Sequence, residues 1–259
     1  MRNHSKSSVC PPTVLITRPR GQASGFAERL KSKGIKVFAH PAIRIIPPKS
    51  YAALDKALRK IGSYAWLIFT SANAVDHFLK RARCLKVRPA ALKKLKTCSI
   101  GPATAKAMRK AGIPVSKISR DYVAESILDV LPSVKGLRIL IPQAQDARDV
   151  LALGLRKRGA RAEAPVAYRT VPDKRGIQAI RRLLSGPGVD CAAFTSASTV
   201  NNFFRAAGRR PKGTIAASIG PVTTKALLSY GWKPSITARR PTTMHLARAI
   251  ADHFRGHLT

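Results

Sequence analysis

Three blocks of this chain occur twice. VLITRPRGQASGFAERLKSKGIKVFAHPAIRI, from Val14, is answered by RILIPQAQDARDVLALGLRKRGARAEAPVAYRT, from Arg138. IFTSANAVDHFLK, from Ile68, is answered by AFTSASTVNNFFR, from Ala193. SIGPATAKAMRKAGIPVSKI, from Ser99, is answered by SIGPVTTKALLSYGWKPSIT, from Ser218. The order is the same in both halves, and Thr70 answers Thr195 at nearly the offset at which Gly101 answers Gly220. Duplication is the simplest account, and it confines the chain to folds built from two similar halves.

Each block has one local grammar. An apolar run such as VLIT, WLIF, CSI, RILI, CAAF or AASI has the composition of a strand buried on both faces. A turn of Gly, Ser or Pro follows, and then an amphipathic helix. Four helices end on a glycine stop, at Gly34, Gly112, Gly159 and Gly231. Strands alternating with helices predict α/β folding with parallel sheets, helices on both faces and right-handed crossovers.

Two stretches, Lys36 to Pro48 and Ala160 to Pro172, are β-branched, carry proline and lack a helical period. They read as a paired linker. The expected architecture is therefore two flavodoxin-like parallel-sheet lobes joined by a two-strand linker. Residues 13–37 with 171–259 form the first lobe and 44–165 the second; 38–43 and 166–170 are the linker strands, and 1–12 a tail.

Charge is the unusual part of the composition. With 48 Lys+Arg against 12 Asp+Glu, the formal net charge is +36, so the chain attracts anions. The basic residues are spread over almost every helix, without aromatic interleaving for base stacking, which argues against specific nucleic-acid recognition. A 45% hydrophobic content excludes a disordered chain. Cys98 and Cys191 sit in apolar runs and read as core thiols, and the cysteine spacings fit a reducing compartment. The longest apolar run, Tyr64 to Phe69, is too short to span a bilayer, and no signal-peptide core precedes it. A cytoplasmic location is expected.

The polar motifs all fall after strands, where open α/β sheets bind ligands. They are Thr17-Arg18-Pro19, Thr70-Ser71-Ala72-Asn73, Gly101-Pro102-Ala103-Thr104, Pro142-Gln143-Ala144-Gln145, Thr195-Ser196-Ala197-Ser198 and Gly220-Pro221-Val222-Thr223. A helix beginning at each would offer its first N–H groups to carboxylates or phosphates. Any one Ser or Thr there also serves as an ordinary cap, worth about 1 kcal/mol; it is their number and shared position that suggest a site. No phosphate loop or GxGxxG occurs. His253 and His257 have the spacing of metal ligands on a helix but lack a third, and Glu125, Asp146 and Glu163 show no paired-carboxylate pattern. Tyr168 lies in the second linker stretch, where a phenol can donate a proton to a leaving group or simply pack.

Taken in order, TRP, P-A-I-x-I-x-P, IFTSANAV, IGPATA, ILIPQA, VAYRTVP, FTSASTV and IGPVTTKAL resemble the uroporphyrinogen-III synthase family from about Val14 to about Ile250. The resemblance implies two α/β lobes on a two-strand linker with a cleft between them. It implies conversion of hydroxymethylbilane, a linear tetrapyrrole with eight carboxylates, to uroporphyrinogen III through a spiro intermediate, with loss of water, inversion of ring D and no cofactor. It implies a monomer that receives its substrate from hydroxymethylbilane synthase. Tyr168 takes the role of assisting loss of the hydroxyl. The substrate contacts fall on Arg18, Ser71, Ala72, Asn73, Gly101, Thr104, Gln143, Ala144, Ser196, Ala197, Ser198, Gly220 and Thr223.

Departures from the family pattern are the extreme charge, the unmatched first dozen residues and a basic loop, Arg205 to Lys212. They keep open a further electrostatic partner, and with it an alternative reading: a non-catalytic module binding polyanions or nucleic acid on the same fold.

Overall fold

The computed structural model describes residues 10–121 and 123–256. In chain order the elements are β1 (Thr13–Ile16), α1 (Arg20–Lys31), β2 (Lys36–Ala39), β3 (Ile43–Ile46), α2 (Ala52–Arg59), β4 (Trp66–Phe69), α3 (Ala72–Cys84), α4 (Pro89–Lys93), β5 (Lys96–Ser99), α5 (Pro102–Lys110), β6 (Lys117–Ile118) and α6 (Ile127–Val130). They continue with β7 (Arg138–Leu140), β8 (Gln143–Ala144), α7 (Val150–Lys157), β9 (Arg161–Glu163), β10 (Val166–Pro172), α8 (Lys174–Ser185), β11 (Cys191–Phe194), α9 (Ala197–Ala207), β12 (Ile215–Ser218), α10 (Pro221–Leu228), β13 (Ile236–Thr237) and α11 (Thr243–Arg255).

The chain divides into two compact units. One takes the described residues up to Arg44 and those from Val171 onward; the other is Ile45–Thr170. Each holds a five-stranded, wholly parallel sheet, in the order β13-β12-β11-β1-β2 in the first and β6-β5-β4-β7-β9 in the second. Repeated blocks occupy equivalent places, β1 with β7, β11 with β4 and β12 with β5. The first unit has the flavodoxin strand order. In the second the chain enters at the middle strand, which permutes the same arrangement. A third, smaller sheet runs β3-β10-β8, and the backbone passes from one unit to the other within β3 and again within β10.

Alternation along the strands builds two cores per sheet. In β4, Leu67 and Phe69 join a cluster with Phe78 and Met108, while Trp66 and Ile68 face the opposite cluster with Ile139 and Leu155. In the first unit Val14, Ile16, Cys191 and Ala193 pack with Phe26 and Leu246. Phe194 turns the other way and meets Phe203 edge-on at 5.1 Å and Trp232 at 5.8 Å. Cys98 and Cys191 are buried, and burial pushes the Cys98 thiol up to about 11 and Cys191 further.

All four expected glycine stops adopt the left-handed conformation, with φ of 77° at Gly34, 74° at Gly112, 80° at Gly159 and 68° at Gly231. Each is followed by an apolar residue whose N–H returns to the helix: Ile35 to Leu30, Ile113 to Met108, Ala160 to Leu155 and Trp232 to Leu227. In all four the same two residues are buried.

One stabilising contact carries no sequence signal. Asp55 on α2 is buried and accepts from Arg81 on α3 at both oxygens, Nε to Oδ1 at 2.6 Å and Nη2 to Oδ2 at 2.5 Å. The Arg81 guanidinium also covers the Tyr51 ring at 4.4 Å. The hydrogen bonds from Arg81 hold the Asp55 carboxyl below its ordinary value. Asp55→Ala leaves Arg81 without its carboxylate and is expected to lower the urea midpoint at pH 7. Because the folded value is depressed, this contribution is present above the unfolded carboxylate range and disappears as pH falls through the folded value, so wild type and variant should converge in acid.

Candidate functional site

In each unit the polar motifs line the carboxyl edge of the parallel sheet. The second unit brings together Ser71, Ala72 and Asn73 after β4, Gly101 and Thr104 after β5, and Gln143 and Ala144 after β7. The first unit brings together Arg18 after β1, Ser196, Ala197 and Ser198 after β11, and Gly220 and Thr223 after β12.

Five of the six motifs lead directly into a helix, and their ends differ. At α3 and α9 the serine caps its helix: Ser71 Oγ accepts from Ala74 N–H at 3.0 Å, and Ser196 Oγ from Thr199 N–H at 3.3 Å. At α5 and α10 the cap is a glycine with proline following, and no side chain closes the end. Extended backbone at Gly101 and Gly220 turns the strand out of the sheet. The first N–H groups of these four helices are beyond the reach of their own carbonyls, so the rims are electropositive. Thr104 and Thr223 are buried beneath the turns.

The sixth motif departs from the expectation. Gln143 and Ala144 do not lead into a helix; they form β8, which pairs with β10, and α7 waits until Val150. Pairing wins because the neighbouring chain supplies partners: Gln143 N–H donates to Pro165 O at 3.1 Å and Gln145 N–H to Tyr168 O at 2.9 Å. The Gln143 N–H is thereby committed to the protein, and its side chain donates to Asp149 at 3.4 Å.

That pairing seats Tyr168. The ring is 7% exposed and packs in the core cluster with Ala167, Leu140 and Phe78. Its hydroxyl lies 3.1 Å from Ser71 Oγ, where α3 begins. Burial is the main cause that raises the phenol above its usual value and Asp146 adds to it, while hydrogen bonding with Ser71 and Asn73 pulls the other way. The group therefore stays protonated at neutral pH. Against the ring sits His77, one turn into α3, with centroids 5.6 Å apart. Burial, with Lys80 second, lowers His77, leaving a neutral imidazole at pH 7. In the sequence His77 is only one histidine among six, and nothing but its helical register from Ser71 marks it.

The duplicated half carries no phenol. Asn202 stands where His77 does, and Ile43 where Tyr168 does. Asn202 is buried and spends its amide on Ser198 O at 2.9 Å. One rim is thus specialised and the other is a plain rim of donors.

Arg18 is a buried cation on that plain rim. Its Nη2 donates to Gln22 at 3.1 Å, while its Nε is buried without a partner among the described residues. Burial lowers its affinity for a proton, and no carboxylate among the described residues offsets that cost. A buried guanidinium left in this state is suited to an incoming anion. Among the described residues no three His, Cys, Asp or Glu side chains gather as metal ligands, and no helix is long and apolar enough to cross a membrane. His257 lies outside the described residues.

Two doubly wound units, each with hydroxyls and backbone amides on the carboxyl edge of its sheet and one with a buried arginine there, define the chain as an α/β protein of two similar halves. The family model described as uroporphyrinogen-III synthase HemD matches residues 24–248. Among curated relatives, the uroporphyrinogen-III synthase of Synechococcus elongatus is 32% identical over 94% of this chain and 96% of its own length. That of Chlorobaculum parvum is 28% identical over 93% and 98%. The chain belongs to the uroporphyrinogen-III synthase family. Its fold matches solved structures of the enzyme from Thermus thermophilus, with a TM-score of 0.69 at 20% identity over 95% of this chain and 99% of that one. The Helicobacter pylori structure gives 0.61 at 17% identity over 94% and 100%.

Proposed function

We propose that this chain is a cytoplasmic, monomeric uroporphyrinogen-III synthase, a cofactor-free hydro-lyase. It closes hydroxymethylbilane to uroporphyrinogen III, inverting ring D and releasing water. The reading is carried by the buried, protonated Tyr168 hydroxyl held 3.1 Å from the Ser71 cap, at the electropositive start of α3.

The chemistry assigned to each group follows from its surroundings. Ser71 Oγ already accepts from Ala74, so its own O–H is available to the phenol oxygen. The phenol proton then goes to the departing hydroxyl of the substrate, the carbon–oxygen bond breaks and water leaves. The cation that remains on ring A is attacked by the substituted carbon of ring D. The spiro intermediate reopens and recloses at the other α-carbon, a proton is lost, and the phenolate is reprotonated. Atoms balance as substrate to macrocycle plus water. The rims' task is geometric: donors hold the carboxylates so that ring D meets ring A, a proximity effect. A neutral His77 leaves no second positive charge against the developing cation.

The direct test supplies hydroxymethylbilane to the purified protein and separates the product isomers after oxidation. The III isomer is expected in large excess over the I isomer. An isomer ratio equal to that of the protein-free reaction overturns the assignment.

A further inference from the structure

The first unit's sheet has a fourth strand end on the rim just described. β13 lies beside β12, with Ser218 opposite Thr237, and Ala238 N–H donates to Ser218 O at 3.0 Å. Two residues past that register Gly220 opens α10; two residues past it on the other strand comes Arg239, followed by Arg240 and Pro241. The two turns touch. A Cβ on Gly220 would lie 3.2 Å from Pro241 Cβ, so the glycine is also what lets this loop settle against the rim.

A groove of about 530 Å³ opens there, lined by Thr237, Arg239, Arg240, His245 and Arg248. Its one acidic member, Asp252, is already engaged by Arg248 at 3.7 Å and by Arg255 at 2.5 Å. Arg239 and Arg240 form no ion pair among the described residues, and the backbone between them and α11 is fixed, because Thr242 N–H donates to Arg240 O at 2.7 Å. Thr242 Oγ1 caps α11 by accepting from His245 N–H at 3.3 Å and meets His245 Nδ1 at 2.7 Å, which leaves Nε2 of that ring for the groove. The equivalent place in the other copy differs in sequence: after β6 the chain reads Ser119-Arg120-Asp121, one arginine with an acid next to it in place of two adjacent arginines.

We infer that this groove is a carboxylate subsite, in which Arg239, Arg240 and the imidazole of His245 take the acetate or propionate arms of a polycarboxylate tetrapyrrole. The inference rests on the proposed function and extends it to residues outside the duplicated motifs. Two guanidiniums side by side suit a pyrrole's paired carboxylates, because each guanidinium can donate a fork of two hydrogen bonds to one carboxylate. The groove continues the row of donors at Arg18, Ser196 and Gly220 along one sheet edge, so a large, many-times-negative ligand reaches it without a second docking event. Contacts of this kind hold ground state and transition state alike, and their loss is felt in KM before kcat.

The double variant Arg239→Ala/Arg240→Ala is compared with Arg209→Ala/Arg210→Ala, which removes the same charge from the basic loop between α9 and β12. Two readouts are taken. With hydroxymethylbilane, the 239/240 variant is expected to raise KM at least tenfold with kcat within twofold, and to flatten the dependence of KM on salt; the 209/210 variant should stay within twofold. With uroporphyrin, the stable octacarboxylate macrocycle, fluorescence quenching should show at least a tenfold weaker Kd for the 239/240 variant only, and Arg239→Lys/Arg240→Lys should recover part of it. Equal losses in both double variants would mean that only net charge matters and would overturn the subsite. So would an unchanged Kd and KM. A wild-type protein that binds uroporphyrin through these arginines yet yields no excess of isomer III would overturn the enzymatic assignment and leave the subsite standing.

Discussion

Tyr168→Phe lowers kcat for ring closure at least tenfold, while KM stays within about twofold. The expected size follows from what the substitution removes. Phenylalanine keeps the ring against His77 and inside the core cluster with Leu140 and Phe78, so the seat survives. Only the hydroxyl goes. Ser71 loses one hydrogen bond but retains Ala74 N–H, a change worth about 1 kcal/mol of stability. A positioned acid contributes roughly a hundredfold or more where its proton is needed in the transition state; because this substrate also loses hydroxide unaided, the floor is set lower. Ser71→Ala is the informative companion. It removes the cap, at about 1 kcal/mol, and the orienting partner of the phenol, yet leaves the acid, so its kcat should fall between those of wild type and Tyr168→Phe. The pH dependence has a definite sign. The active form is the protonated phenol, and burial raises its titration above the ordinary range. Activity owed to it should therefore persist through neutral and mildly alkaline pH and be lost only as pH rises through the raised value. A Phe variant with wild-type kcat would show that the proton comes from elsewhere.

Much of this was legible in the chain because it is local. The strand-to-helix junctions at Thr70-Ser71 and Thr195-Ser196, the glycine stops and the buried β4 and β11 runs all follow from neighbours within a few residues. Their recurrence fixed two similar sheets. What the sequence hid is what depends on partners far away along it. Tyr168 meets Ser71 across 97 residues, and only the pairing of β10 with β8 brings them together. The same pairing removed the expected helix end at Gln143, since a strand neighbour offered its carbonyl first. His77 became meaningful only once the phenol ring lay against it. Asp55 and Arg81 look like two more surface charges until α2 packs on α3. Arg239 and Arg240 were lost in a background of basic residues, because position on the sheet edge, and not composition, distinguishes them.

Gly176→Ala is expected to destabilise the first unit by at least about 3 kcal/mol, the upper part of the range for overpacking. The cause is space alone, since the backbone there is ordinary helix. Gly176 stands in the first turn of α8, and a Cβ would lie 1.9 Å from Pro41 O, 2.8 Å from Pro41 C and 3.1 Å from Pro41 Cδ. Two of those atoms are backbone and cannot rotate aside. Nor can the helix retreat cheaply. Its cap, Asp173, accepts from Gly176 N–H at 2.9 Å and donates its own N–H to Ala42 O at 3.1 Å, so backing away breaks the bonds that begin the helix. Helix α8 is thus keyed onto the chain just before β3 by the absence of one methyl group. The same substitution at Gly21, in α1 with nothing within 4 Å of the added carbon, should instead stabilise by about 0.5–1 kcal/mol through helix propensity and reduced freedom of the unfolded chain. Urea unfolding of both variants gives the test, because one chemical change is predicted to act with opposite signs at two helical sites. A Gly176→Ala midpoint equal to wild type would mean that α8 is not held where Pro41 and Ala42 place it.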